Sequence, residues 1–262
     1  MRRFGLPHYA RIRPVVPERP VLVVGGTVRR PVQIDVSELF SSARRVDQVS
    51  DLHCVTTWSA TGLRWSGVLF RDVHELLAGR VRPHPSCAWV VFTGLDGYRS
   101  CMALSDALAG DVQLADRLGG EPLAADHGAP LRLVAPAHYG YKSVRHLCAV
   151  EYRTRYDPGS ARWAAHRRGR VAREERSTLL PGWVWRRIWR RAAPGVRAAY
   201  DRAGRTETGR LSADFQSEQD ERRTCAPQCF CNINCFSVNR NQSSRLRKTQ
   251  ARIGMIAKPR PG

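Results

Sequence analysis

An α+β domain, mainly β with mixed sheets, is the fold class this 262-residue chain predicts. Three observations point there. Short runs rich in β-branched and aromatic residues recur between turn signals from Pro20 to about Tyr156; the helical patterns between them are few and short; and no regular alternation of strand and long helix is visible. In chain order, residues 20–24 (PVLVV) read as a strand closed by Gly25-Gly26. Residues 51–58 (DLHCVTTW), 88–93 (AWVVFT), 131–134 (LRLV) and 146–152 (HLCAVEY) read as further strands. Residues 70–77 (FRDVHELL) place Val73, Leu76 and Leu77 on one helical face, and a short helix is expected over residues 104–108 with Ser105 as its cap. There is no internal repeat.

Past residue 158 the character changes. Residues 159–180 are Arg-rich and polar. Residues 182–193 (GWVWRRIWRRAA) set Trp185 and Trp189 one helical turn apart, as they do Val184 and Ile188, so a packed C-terminal helix is expected, ended by Pro194-Gly195. From about Arg202 onward apolar residues thin out, and residues 202–262 are expected to be a disordered basic tail. The chain thus divides into a folded domain over residues 1–158, a helical extension over 159–201 and a tail over 202–262.

Hydrophobic residues make up 42% and charged residues 25%, which excludes wholesale disorder. No apolar run approaches the roughly 18 residues of a membrane-spanning helix. The net charge of +20 is uneven: residues 1–158 hold 20 Lys and Arg against 15 Asp and Glu, residues 159–262 the other 23 against 8. Only Lys142, Lys248 and Lys258 are lysines among 43 basic residues. That ratio suggests biased codon usage and weakens the nucleic-acid reading that a pI near 10.8 invites.

The cysteines divide at the same place. Cys54, Cys87, Cys101 and Cys148 are scattered without the paired spacing of a disulfide framework. Cys225, Cys229, Cys231 and Cys235 crowd into CAPQCFCNINC, a C-x3-C-x-C-x3-C spacing with no apolar core around it, so metal binding is not expected there. The opening MRRFGLPHYARIRP has two arginines but no apolar stretch behind them, which reads as neither a secretory nor a twin-arginine signal; a reducing cytoplasm is the expectation.

Two segments carry chemistry. The first is His53-Cys54-Val55-Thr56-Thr57-Trp58, continuing to Trp65-Ser66-Gly67-Val68 in the pattern C-x3-W-x6-W-x-G-V. Such a cysteine reads either as a small buried hydrophobe or, with tryptophans walling a pocket and glycines admitting close approach, as a thiolate for a soft metal. The second runs from Asp126 to His146, DHGAPLRLVAPAHYGYKSVRH. Its loops offer His127, Arg132, Lys142, Ser143 and Arg145 with backbone amides near Gly140, either a solvated basic loop or an anion cradle suited to phosphate.

Together these segments resemble the molybdopterin-binding domain of the sulfite oxidase family, and most its small bacterial branch related to the methionine-sulfoxide-reductase catalytic subunit. That family carries a cysteine in an H-C-V-x-x-W-like context, then W-x-G-V, and far downstream G-x-P-[LVI]-R-L-V-x-P-x-x-Y-G-[YF]-K-S-[IV]-[KR]. The second match runs unbroken from Gly128 to Arg145, FTGLDGYRS (92–100) resembles the turn between them, and the likeness spans roughly residues 4–200. It implies a mainly β, mixed α+β domain over residues 1–158 built around a molybdenum-molybdopterin cofactor. It implies Cys54 as the catalytic thiolate on molybdenum. It further implies His127, Arg132, Lys142, Ser143, Val144 and Arg145 as holders of the pterin or its phosphate, with His8 and Tyr9 also reaching the pterin. Position 57 is Thr where relatives often have Gly, and Arg145 stands for the more usual Lys.

The implied function is oxygen-atom transfer on a small sulfoxide, N-oxide or sulfite-like substrate, with sulfoxide reduction favoured because tryptophans at 58 and 65 suggest an open, partly apolar mouth. No b-type haem domain is recognisable, so electrons would be exchanged with a separate redox protein. The other class is a non-catalytic basic protein whose C-terminal part engages nucleic acid or an acidic partner; the long second motif favours the enzyme. The remaining histidines (His74, His84, His138, His146, His166) read as packing or surface residues, as do Tyr139 and Tyr141, while Arg64, Arg99 and Tyr156 are weaker candidates for the substrate side.

Overall fold

Period-two alternation builds the first sheet. In β1 (Val21–Gly26), Leu22 and Val24 are buried while Val21 is exposed, as one wet and one dry face require. β1 pairs antiparallel with β2 (Val32–Asp35) and parallel with β10 (Leu147–Arg153). β10 pairs antiparallel with β5 (Trp89–Gly94), and β5 with β6 (Arg99–Ala103), giving the order β2-β1-β10-β5-β6. The second sheet runs β3 (Arg45–His53), β4 (Ser59–Leu69), β7 (Gln113–Leu118), β8 (Glu121–Pro122), with β9 (Arg132–Val134) also on β7. One mixed sheet, one wholly antiparallel sheet and few helices make the domain α+β and mainly β; the expectation of mixed sheets holds for the first alone.

This computed structural model describes residues 6–162 and 165–224, residues 204–224 as backbone only. The chain forms two units, Met1–Glu207 and Thr208–Gly262, and both sheets belong to the first. Leu22, Phe92 and Val150 of one sheet join Val68, Leu114 and Leu133 of the other in a single core. Helix α3 (Phe70–Val81) adds Phe70, Val73, Leu77 and Val81, an i, i+3, i+7, i+11 stripe. Leu76, expected on that face, is 40% exposed; it lies one residue off the stripe. Three further short helices are α1 (Pro7–Ala10), α2 (Val36–Ser42) and α4 (Leu104–Ala107). Ser105 is not the cap of α4: Ala103 takes that position, with no side-chain cap.

Two other expectations are corrected. Residues 51–58 are not one strand, because β3 ends at His53 and a turn intervenes before β4. The C-terminal helix does not stop at Pro194: α5 (Gly182–Thr224) runs through it, so residues 202–224 are helical. Proline removes one hydrogen bond and costs about 3 kcal/mol in a helix interior. Against that cost, Ala, Arg, Glu and Gln dominate the sequence beyond it, and Tyr200 and Ala203 are buried with Ala10 of α1. No described helix is long and apolar enough to cross a membrane. The cluster Cys225, Cys229, Cys231, Cys235 lies outside the described residues.

Candidate active site

Cys54 sits at the mouth of a tight hairpin between β3 and β4. Its amide donates to the Trp58 carbonyl at 2.8 Å and its carbonyl accepts from the Thr57 amide at 3.1 Å. That is a three-residue hairpin loop, a turn followed by a left-handed residue. The left-handed residue is Thr57, at φ 76°, where glycine is the natural occupant because it lacks the Cβ that clashes there. The Cys54 sulfur lies 3.1 Å from the Thr56 hydroxyl. Burial pushes the thiol up, opposed by the Thr56 and Trp58 side chains and by the positive field of Arg176. Among the described residues no group of three or more His, Cys, Asp and Glu could cage a metal ion, so Cys54 is a lone soft donor, not one corner of a protein cage.

The second motif is brought against this hairpin. His53 forms a parallel bridge with Tyr139, and a Cβ on Gly140 would lie 3.5 Å from the His53 carbonyl oxygen. Beyond Gly140 the chain turns through a short 3-10 helix, Gly140–Lys142, and returns beside β9, the Leu133 amide donating to the Val144 carbonyl at 2.8 Å. His127 and Arg145 close around Gly128, whose φ is 108° and where a Cβ would meet that of Arg145 at 3.0 Å.

Arg132 defines the electrostatics. It is 5% exposed, with one guanidinium nitrogen donating to the His127 carbonyl at 2.9 Å and the group 5.1 Å above the Trp65 ring. Its Nε is buried without a partner, as is Nδ1 of His127. Burial, then repulsion from Arg145, pulls its pKa down to about 9. His127 is likewise lowered by burial, with the Arg132 and Arg145 charges adding to it. Neither arginine has a carboxylate within ion-pair distance among the described residues. A buried guanidinium without a counter-ion, beside a second, half-buried arginine that repels it, is costly, and an anion accepting from them removes the cost.

Other residues singled out in the sequence lie differently. The Lys142 ammonium is buried and donates to the carbonyls of Cys101 at 2.5 Å and Arg167 at 2.8 Å, so it braces the chain and does not join the arginines. The Ser143 hydroxyl accepts from the Ala135 amide at 3.2 Å. Val144 is a core residue. Tyr9 donates to Ser160 at 2.9 Å and packs edge-on against Tyr98, while His8 is exposed. Trp65 is fully buried in a second apolar cluster with Leu52 and Val134; it is a platform for Arg132 and not a pocket wall. Gly67 serves strand packing, since a Cβ there would lie 2.1 Å from the Leu114 carbonyl oxygen. Arg99 pairs with Asp157 at 2.8 Å, and Arg64 is exposed on β4. Sequence reasoning missed Arg176, which is 8% exposed and donates to the Val55 carbonyl at 2.6 Å; nothing in the Arg-rich stretch around it sets it apart.

Known proteins with similar sequences give the family. Residues 10–161 match the family described as the oxidoreductase molybdopterin binding domain. The uncharacterized oxidoreductase YuiH of Bacillus subtilis is 31% identical over 158 residues, which cover 60% of this chain and 77% of that protein. The protein-methionine-sulfoxide reductase catalytic subunit MsrP of Xanthomonas axonopodis pv. citri is 29% identical over 144 residues, 49% of this chain and 43% of that subunit. This chain therefore spans less than half of the MsrP subunit's length. The solved sulfane dehydrogenase SoxCD of Paracoccus pantotrophus is 18% identical, covering 52% of this chain and 38% of that one, with a TM-score of 0.45. The family match takes in more than half of the chain, and the protein belongs to the molybdopterin-binding oxidoreductases, with molybdopterin as its cofactor.

Proposed function

We propose that the protein catalyses oxygen-atom transfer on a small oxo substrate, with Cys54 as the protein ligand to the molybdenum held by the pterin, exchanging electrons with a separate redox protein. The observation that supports it most is the bridge between His53 and Tyr139, which sets the lone thiol beside the basic motif. The residues fit a phosphate-bearing pterin: two guanidiniums without counter-ions and orphaned nitrogens on Arg132 and His127 call for an anionic, acceptor-rich ligand. When bound, the cofactor supplies the two-electron redox chemistry of oxygen-atom transfer.

The chain's own part is binding and orientation. Arg132 and Arg145 neutralise the phosphate, and Nδ1 of His127 offers a further polar contact. Cys54 offers its sulfur from a hairpin whose backbone bonds fix its direction. With Trp65 buried, Trp58 is the tryptophan left to shape the substrate mouth. Residues 1–158 are the proposed cofactor domain and the cytoplasm the proposed compartment; the four cysteines in the described chain are free thiols.

For the reaction we favour reduction of a sulfoxide or N-oxide over oxidation of sulfite, a direction supported by the MsrP relatives. The test uses molybdenum-replete protein with an artificial electron donor. Measurable sulfoxide or N-oxide reduction, slow or absent sulfite oxidation, and loss of turnover in Cys54→Ser are expected. Rapid sulfite oxidation without sulfoxide or N-oxide reduction would overturn the direction, and parental turnover in Cys54→Ser the ligand.

A further inference from the structure

We infer that Arg176 is a positioning residue for Cys54, delivered to the cysteine hairpin by a strap that lies beyond the family-matched residues. The strap is anchored first. The Tyr139 amide donates to the Gly169 carbonyl, the Val171 amide to the Ala137 carbonyl, both at 2.9 Å, and His138 and Arg170 form an antiparallel bridge. A tight loop follows, closed by the Arg170 guanidinium on the Glu175 carboxylate at 2.6 and 3.0 Å. Arg176 comes next. Its guanidinium lies 4.9 Å over the Tyr139 ring and donates to the Val55 carbonyl at 2.6 Å.

Val55 heads the hairpin loop. A charged donor on its carbonyl, itself fixed against a buried ring, adds a hold on that loop beyond its own backbone bonds. The hold matters because the loop is strained at Thr57, and a residue forced into the left-handed region relaxes unless its surroundings over-determine it. Arg176 has no carboxylate within ion-pair distance among the described residues, and its Nε is buried without a partner. A buried guanidinium without a counter-ion is poor design for stability alone and is accounted for by a task at the hairpin. Ligand atoms misplaced by a fraction of an ångström lose much of their effect, which is the task. This inference rests on Cys54 being the cofactor's protein ligand.

The test uses full-length holoenzyme carrying Arg176→Met or Arg176→Lys. In Arg176→Met, amide exchange at Cys54 and Thr57 is expected to quicken about ten-fold while β5 and β10 stay as protected as in the parent. Turnover should fall by about ten-fold or more with KM little changed. Arg176→Lys, which keeps one donor but not the planar stack, should recover part of both. Unchanged exchange at the hairpin, exchange raised throughout the domain, or a loosened hairpin with parental turnover would each overturn the assignment. A raised KM at parental kcat would overturn it too, moving Arg176 to the substrate. The ligand reading fails separately, through parental turnover in Cys54→Ser.

Discussion

Replacing Arg132 by methionine should act with opposite signs on the cofactor-free and cofactor-loaded protein. In the cofactor-free fold, the fall of its pKa from the ordinary arginine value to about 9 corresponds to about 4–5 kcal/mol at about 1.4 kcal/mol per unit. Two contacts offset it: the hydrogen bond to the His127 carbonyl, about 1.5–3 kcal/mol, and the face of Trp65, about 0.5–2 kcal/mol. The net cost of the charge is thus on the order of 1 kcal/mol, and Arg132→Met should raise the melting temperature of cofactor-free protein by a few degrees. The pH dependence has a definite sign. A base whose pKa is lowered by folding destabilises at every pH below its folded value, and the cost fades as the pH rises from about 9 toward the ordinary arginine value. The variant's advantage should therefore be full at neutral pH and shrink in alkaline buffer. With cofactor bound, loss of one charge-assisted hydrogen bond should weaken binding by about 10- to 150-fold. The assay is denaturant unfolding of protein made in cells lacking the cofactor, at neutral pH and near pH 10, beside molybdenum content of loaded protein. A cofactor-free variant clearly less stable than the parent at neutral pH would make Arg132 a structural strut and refute the anion-cradle argument.

Four further outcomes are expected. Thr57→Gly should stabilise the domain by about 1 kcal/mol in denaturant melts, because the exposed Thr57 loses little packing while its left-handed φ of 76° is relieved. Gly67→Ala should cost about 3 kcal/mol or leave the protein insoluble, since the added methyl would stand 2.1 Å from the Leu114 carbonyl oxygen; expression and melting of the variant decide it. The double change Arg132→Ala with Arg145→Ala should lower molybdenum per protein far more than activity per molybdenum, by several powers of ten in affinity on about 1.5–3 kcal/mol per contact; normal occupancy with crippled turnover would place the pair on the substrate side. Tyr200→Ala should cost about 2 kcal/mol in a thermal melt, because Tyr200 closes a small buried cluster with Ala10 and Ala203.

What the sequence showed and what it hid follow one division. Strands with dense β-branched runs, such as β1, β5 and β10, were legible because burial of both sheets on one core demands that composition. Strand β4 and its partner β7 were not: SATGLRWSGVL and QLADRL mix polar and small residues because the first half of β4 and the last half of β7 are wet, while the buried remainder includes Ser66, Gly67 and Gln113. The hairpin at Cys54 read as strand because Thr56 and Thr57 are β-branched; local propensity pointed one way and the turn's hydrogen bonds the other. The tail was read as disordered on its polarity, yet α5 continues through Pro194 because helix propensity resides in Ala, Arg, Glu and Gln as well as in apolar residues. The motifs single out Cys54, His127, Arg132 and Arg145 as candidates, whereas Arg176 sits among many arginines and only its fold-given proximity to Val55 sets it apart.

Lysine 142 and the arginines show why charge in a motif is not by itself a binding assignment. All are cations within one unbroken stretch, and composition treats them alike. The structure separates them by what their donors meet. Lys142 is a compact point charge whose ammonium is directed at two backbone carbonyls, tying the loop of the second motif to β6 and to Arg167. Its pKa falls to about 8 through burial, which still leaves it charged at neutral pH and able to donate to both carbonyls. Arg132 keeps an unmet nitrogen and a repelling neighbour in Arg145. A cation whose donors are met by the protein braces a site; one with an unmet donor and a repelling cation beside it, as Arg132 has in Arg145, leaves a charge for a ligand to answer. On that criterion Lys142 is a brace, and Arg132, with His127 and Arg145 beside it, is what the proposed anion cradle rests on.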